Sequence, residues 1–525
     1  MITAGVDAAR GVVSDEPSDR RPGRSPDLLG EGYGNLAGTD EQTPLAALLA
    51  AEVDSPARWT VPGHMGGRCV GAASLSLLGE RLHATDLWPD QARYAEALRA
   101  SQALAATAWG AGHAWLLTTG ATGGNLAWIL GSVRPGSTVV VDSACHVSVL
   151  AGLSLRPDVR PVWVQRELDP VTGVPRPLRP QAVRQALLAH PGAAQVIVTS
   201  PTYSGACSPV AEIVAAARVA GAVVYVDAAW APHGRWLSRG AEIDPMRDGA
   251  DACVVSLHKT GPAVSGAAVL LAAPTAGAEL VARVDRAVGD LRSTSPLLPV
   301  LVSADLARSQ LVGAGRSGLA EAVELAAELA RELGRVAGVT VAPRHAGHDP
   351  LKLVVDLRAT GRSGYDVQAG LRERGVLVEG ADLDHLYLVQ PAVVPPGTAA
   401  LHGACRDRLA RALTTVLAGP ARPAAARVRI APGVWAAARG EQVLTPSQAR
   451  ELSAVRVPRS EAVGRVAAEH AAPYPPGVPV WVPGEVITEA AMQIVDDVLH
   501  ARGEIHGPQD PTVQTVAVVQ DVTGA

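Results

Sequence analysis

The chain has 525 residues, of which 48% are hydrophobic, and a formal net charge of -5. That length exceeds one simple core and points to two or three units, while the slightly acidic balance and the lack of a basic stripe interleaved with aromatics speak against a nucleic-acid partner. The longest apolar runs, such as Ala267–Ala273, fall far short of the ~18 residues of a membrane span, and the opening MITAGVDAARGVVSDEP has no apolar signal core, so a cytoplasmic protein is expected.

Residues 1–40 are rich in Gly, Pro, Asp, Arg and Ser without periodicity and read as a flexible tail. A short helix is predicted over Pro44–Val53. Apolar runs at Trp115–Thr119, Thr138–Asp142, Arg160–Val164, Gln195–Ser200, Val223–Asp227, Ala252–Leu257 and Ala267–Leu271 then alternate with helical stretches that include Asn125–Val133, Pro180–Ala189 and Val210–Ala220. Continuous rather than alternating apolar runs are the mark of strands buried on both faces. The pattern predicts an α/β fold, a mostly parallel seven-stranded sheet with helices on both faces. The link between the last two runs is too short for a helical crossover, so the final strand is expected to run antiparallel.

A long helix over about Ala304–Val336 leads out of this unit. Strands at Leu351–Leu357, Val376–Glu379 and Leu386–Val389, with a helix over Tyr365–Glu373, predict a smaller α/β domain. A Pro/Ala/Arg-rich linker near 419–433 precedes a C-terminal part with a helix over Arg459–His470 and a proline-dense segment from Tyr474 to Pro479. The expected division is 1–40 tail, 41–310 major domain, 311–425 small domain and 426–525 C-terminal domain.

Of the 46 basic residues only Lys259 and Lys352 are lysine. Arginine stays protonated and cannot form an imine, whereas a lysine can lose its proton in a pocket and attack a carbonyl. Lys352 opens a predicted strand and reads as an incidental survivor of a compositional bias. Lys259 has telling neighbours. Four segments fall at the carboxyl ends of predicted strands, where open parallel sheets bind ligands. Thr118-Thr119-Gly120-Ala121-Thr122-Gly123-Gly124-Asn125 places small residues at a helix start, where free N–H groups favour phosphate; steric need alone also explains such glycines. Asp142-Ser143-Ala144-Cys145-His146 brings a histidine able to stack on a ring or move protons. Val226-Asp227-Ala228-Ala229-Trp230 buries an acid that needs a positive partner such as a pyridinium nitrogen, or that caps a helix. Ser256-Leu257-His258-Lys259-Thr260-Gly261 supplies the amine. In this order the four meet the needs of pyridoxal phosphate (PLP): a phosphate anchor, a stacking partner, an acid for the ring nitrogen, and a lysine for an imine. The five scattered cysteines show neither CxxC nor zinc spacing, so reduced thiols and no metal are expected.

Further segments narrow the resemblance. Val61-Pro62-Gly63-His64-Met65-Gly66-Gly67, Ser200-Pro201-Thr202-Tyr203-Ser204-Gly205, Thr294-Ser295-Pro296, Asp349-Pro350-Leu351-Lys352-Leu353, and Pro473-Tyr474-Pro475-Pro476-Gly477-Val478-Pro479 followed by Pro483-Gly484-Glu485 resemble, in this order, motifs of the bacterial ornithine/lysine/arginine decarboxylases, which are fold-type I PLP enzymes. The resemblance implies that Lys259 carries the cofactor, Asp227 pairs with its ring nitrogen, and His146 stacks on the ring. It also implies that Gly120, Ala121, Thr122 and Ser256 bind phosphate, with His258 as a proton donor. Thr294 and Ser295 would reach a neighbouring subunit's phosphate in a homodimer or larger homo-oligomer. The implied reaction is decarboxylation of a basic amino acid, with Glu379, Asp382 and Asp384 as candidates for its distal cation; transamination or lyase chemistry and a non-catalytic relative are the alternatives. The chain departs from the family at Leu82–Pro89, at Ala228–His233, and at Leu257 and Gly266.

Overall fold

The computed structural model describes residues 57–59 and 91–520, apart from 171, 238–242, 295–296, 343–346, 396, 421–436 and 476. The expected tail, the Pro44–Val53 helix, the Val61–Gly67 and Leu82–Pro89 segments, Ser295, Pro476 and most of the 419–433 linker lie outside the described residues.

Strand β1 (Ala57–Trp59) and helix α1 (Gln91–Trp109) come before the main sheet. That sheet is built from β2 (His113–Leu117), β3 (Thr138–Asp142), β4 (Arg160–Val164), β5 (Gln195–Thr199), β6 (Val223–Asp227), β7 (Ala252–Ser256) and β8 (Ala268–Ala272), in the spatial order β2-β8-β7-β6-β5-β3-β4. β3 to β7 pair in parallel with their neighbours, and β8 runs antiparallel to both β7 and β2, as the short link required.

The two-residue period of the strands divides their side chains between two cores. Val140, Val196, Val224 and Val255 face one way and pack with α4 (Pro180–Ala189) and α5 (Val210–Val219). Val139, Val141, Ile197 and Val254 face the other, against α2 (Gly120–Ser132), α3 (Val147–Ser154) and α6 (Ala278–Leu291). Burial on both faces is why valine runs without alternation serve here as strands.

Helix α7 (Leu298–Leu333) begins earlier than predicted and is interrupted at Gly315, whose φ of 52° and ψ of -150° break the helical path. A second sheet follows, antiparallel throughout: β9 (Thr340–Val341), β10 (Lys352–Asp356), β12 (Gly380–Ala381) and β13 (His385–Val389), in the order β12-β13-β10-β9. The predicted strand Val376–Glu379 is cut at β11 (Val376–Val378), which pairs with β1, so Glu379 sits between β11 and β12. Helices α8 (Gly364–Arg372) and α9 (Ala399–Ala418) share a core with this sheet through Leu353, Leu371, Leu388 and Leu409.

A further core around Trp481, Ile494 and Val516 joins α11 (Glu489–His500), which follows α10 (Pro446–Glu451), to the last strands. The predicted helix over Arg459–His470 does not form there: only Arg459–Glu461 makes a helical turn. The backbone N–H groups that a helix would use go elsewhere, Gly464 to the Ile487 carbonyl (2.8 Å), Ala467 to Glu485 (2.8 Å) and Ala468 to Ala517 (3.0 Å). Long-range pairing has overridden a helix-compatible spacing.

Candidate active site

The carboxyl ends of β2, β3, β6 and β7 gather the residues picked out from the sequence. Helix α2 opens at Gly120, whose φ of +67° suits only glycine without strain and whose N–H donates to the Gly266 carbonyl at 2.7 Å. Gly124 is steric: a Cβ there would stand 2.5 Å from Val254 Cγ2. The N-cap residue Thr119 makes no side-chain capping bond. Among the described residues no backbone carbonyl takes the N–H groups of Ala121 and Thr122, which leaves a helix start with unspent donors. Ser256, fully buried at the end of β7, has a hydroxyl without a partner among the described residues. A buried hydroxyl left alone is costly, and an acceptor-rich phosphate would satisfy it. His258 Cε1 lies 3.8 Å from where a Cβ on Gly120 would stand, so His258 borders the same corner. Its Nδ1 is 2.9 Å from the Ala267 carbonyl and donates to it, so any proton His258 moves moves at Nε2.

Asp227 closes β6 and is 3% exposed. Asn125 Nδ2 donates to Asp227 Oδ2 at 2.9 Å and the Ala229 N–H donates to Oδ1 at 3.1 Å. Asn125 is held in turn by Tyr225, whose hydroxyl donates to Asn125 Oδ1 at 2.8 Å, and by Ser148. His146, the N-cap of α3, accepts from the Ser148 N–H through Nδ1. Its ring keeps an open surface, yet protein crowds it enough that desolvation, aided by the Lys259 charge and opposed by Asp227, lowers its pKa. The composition of this network was only partly legible in the sequence. Tyr225 shares a strand face with Asp227 by the two-residue period, but nothing local marks Asn125 or Ser148 as partners.

Lys259 is half-buried, with Nζ 4.2 Å from the centre of the Trp230 ring. Desolvation lowers its pKa, against the opposing pull of Asp227 and Glu379. Lys352 corrects the sequence reading. It is more than an incidental survivor: it is 3% exposed, with Nζ 3.1 Å from the same Trp230 ring and 5.0 Å from that of Tyr203. Strand β10 carries it inward because β10 is buried along its whole length. Behind the two lysines His233 bridges their segments, with Nδ1 3.0 Å from Thr260 Oγ1 and Nε2 3.2 Å from Asp349 Oδ1.

Of the three acids expected to read a basic side chain, electrostatics ties one to both lysines. Asp382 accepts from the Tyr387 hydroxyl (2.5 Å) and His385 Nδ1 (3.0 Å) and is part of the small sheet's own network. Asp384 lies on the turn between β12 and β13. Glu379 is close enough to act electrostatically on Lys259, Lys352, Tyr203 and Tyr474. Thr294 lies exposed between α6 and α7.

A parallel sheet with one reversed strand, a helix start with unspent donors, a buried acid and a lysine at successive strand ends define the fold of the type I PLP-dependent enzymes. Solved structures agree. Constitutive lysine decarboxylase of Escherichia coli superposes with a TM-score of 0.65 at 18% identity, covering 95% of this chain and 80% of that one. Serine palmitoyltransferase of Sphingomonas wittichii gives 0.53 at 18% identity, covering 69% and 88%. The sequence matches the Orn/Lys/Arg decarboxylase major domain over residues 43–345 and the Orn/Lys/Arg decarboxylase C-terminal domain over residues 434–505. Arginine decarboxylase of Halalkalibacterium halodurans is 28% identical over 92% of this chain and 98% of its own length, and that of Bacillus subtilis 27% identical over 92% and 99%. The chain belongs to the Orn/Lys/Arg decarboxylase family and is a decarboxylase of a basic amino acid.

Proposed function

We propose that the chain binds PLP at the carboxyl edge of the large sheet and uses it to decarboxylate arginine, lysine or ornithine, giving the corresponding polyamine-type amine. One observation carries the reading: a buried acid, Asp227, has only neutral hydrogen-bond partners among the described residues and acts electrostatically on a lysine whose pKa burial lowers. The orphaned Ser256 hydroxyl beside the helix start fits the same group. The N–H groups of Ala121 and Thr122, together with Ser256 Oγ and the backbone at Gly120, would hold the phosphate. Asp227 would keep the ring nitrogen protonated, and the open face of His146 would cover the ring.

When bound, PLP supplies an aldehyde that condenses with amines and a pyridinium that takes up the electron pair freed as CO2 departs. The chain's own residues do the rest. Lys259 offers an amine that burial makes easier to deprotonate. Asp227 would set a fixed negative charge against the ring nitrogen and so keep that nitrogen protonated, in a site from which water is largely excluded. Asn125, Ser148 and Tyr225 lock that carboxylate in place. His258 delivers a proton from Nε2. Glu379, which acts electrostatically on both lysines and Tyr474, pairs with the distal cation of the substrate.

The same reading includes a division into 41–310, 311–425 and 426–525, a cytoplasmic location, and a homodimer or larger assembly in which Thr294 and Ser295 reach a partner's phosphate. No helix among the described residues is long and apolar enough to cross a membrane. The test is incubation of the purified holoenzyme with each of the three amino acids, reading amine and CO2 by mass spectrometry. Lys259→Ala is expected to abolish both the visible cofactor band and amine formation; retained turnover overturns the assignment.

A further inference from the structure

The chain's two lysines, 93 positions apart and the only two it has, converge on one indole. They arrive from different sheets: Lys259 from the loop after β7, Lys352 from the first position of β10. Lys352 Nζ is buried and has no hydrogen-bond partner among the described residues, which is unusual for a group that carries three donors and is strongly hydrated when charged. A buried ammonium without a salt bridge is expensive. An ordinary structural lysine would extend to water or to an acid, and here the terminus is pressed instead on the face of Trp230.

We propose that Lys352 is a positioning residue for Lys259: a second amine on the same Trp230 ring that competes with Lys259 for positive charge and so holds it in its nucleophilic form. The inference rests on the reading that Lys259 carries the cofactor. Its physical basis is that like charges sharing one desolvated space cannot both be held cheaply, so the two amines titrate as a pair. A neighbouring cation is one of the recognised ways to activate a lysine nucleophile. The groups facing the pair are Asp227 and His146 from the large sheet, Asp349 and Glu379 from the small-sheet side, and Cys207 and Tyr203 beside the SPTYSG turn. The acids favour charge on both amines, and burial opposes it more strongly on each. Trp230, 6% exposed, is the shared surface through which one amine feels the other. The His233 bridge between Thr260 and Asp349 holds the two lysine segments in register.

The scarcity of lysine makes the test direct. Holoenzyme grown on lysine labelled with ¹³C at Cε gives side-chain signals from two positions, and the Lys352 signal is followed with pH. It is expected to titrate below the ordinary lysine value of about 10.4 while still carrying its proton at the pH where the band's transition is read; a midpoint at or above that value, or a Lys352 already neutral at the transition, overturns the proposal. In parallel, Lys352→Met holoenzyme is titrated by its visible absorbance. Losing the competing charge is expected to move the band's transition up by about one pH unit. An unmoved transition in a variant that melts like the wild type overturns the proposal, and if the variant does not fold the labelled wild-type titration decides alone. Lys259→Ala keeps the two ideas apart: a visible band that persists in that variant sinks the cofactor assignment, whereas a band lost there together with a Lys352→Met transition that stays put sinks only the role of Lys352.

Discussion

Two carboxylates, one at the edge of each sheet, show how similar residues are put to different use. Asp382, beside the small sheet, is met by the Tyr387 hydroxyl, by the His385 ring and by the N–H groups of Asp384 and His385. Burial alone would raise its pKa; the charge and hydrogen bonds of its partners lower it. Burial would likewise lower the pKa of His385, but Asp382 raises it to about 9, so the pair is ionised and complete. Asp227, at the edge of the large sheet, has an amide and one backbone N–H instead, all neutral. The first arrangement satisfies itself and stabilises the fold. The second leaves a buried charge uncompensated by its own hydrogen-bond shell, which makes sense when a cation arrives from outside the chain.

The sharpest way to break this comparison is Asp227→Ala. If the carboxylate serves a bound cation, kcat falls by on the order of 10²–10³-fold while the melting temperature stays near that of the wild type; steady-state kinetics with a thermal melt read both. Asp382→Asn should do the reverse. Losing the charged partner of His385 is expected to cost about 2 kcal/mol of stability, read by denaturant unfolding, with kcat little changed. Asn125→Ala tests the support beneath Asp227. Removing one buried hydrogen-bonding amide should cost about 1 kcal/mol and lower the affinity for PLP, measured by cofactor titration. The smallest effect is in the pH profile of stability. The folded pKa of His385 is raised, so its contribution is complete below about 6.5 and is lost as the pH rises through about 9. His385→Gln should flatten that limb of the unfolding curve, while the Asp382 contribution, set by a lowered pKa, is lost only on the acid side.

Much of this was legible before any coordinates. Valine-rich runs such as Thr138–Asp142 and Val223–Asp227 announced buried strands because a strand covered on both faces has no polar face to alternate with. The glycine-rich helix start and the acid and lysine at strand ends were legible for the same reason: each is a local device tied to one strand and the turn after it. The same local logic misread Arg459–His470, where spacing suggested a helix but the backbone groups pair with distant strands.

Local chemistry therefore determined the strands and their order along the chain, and singled out Lys259, Asp227 and His146 as candidates. Only the tertiary structure decided that Asn125 would steady Asp227 across 102 positions, that Glu379 would act electrostatically on both lysines, and that Lys352 would rest on Trp230. Those relations join segments far apart in the chain, and no pattern of neighbouring residues encodes a distance that exists only once two sheets have packed together.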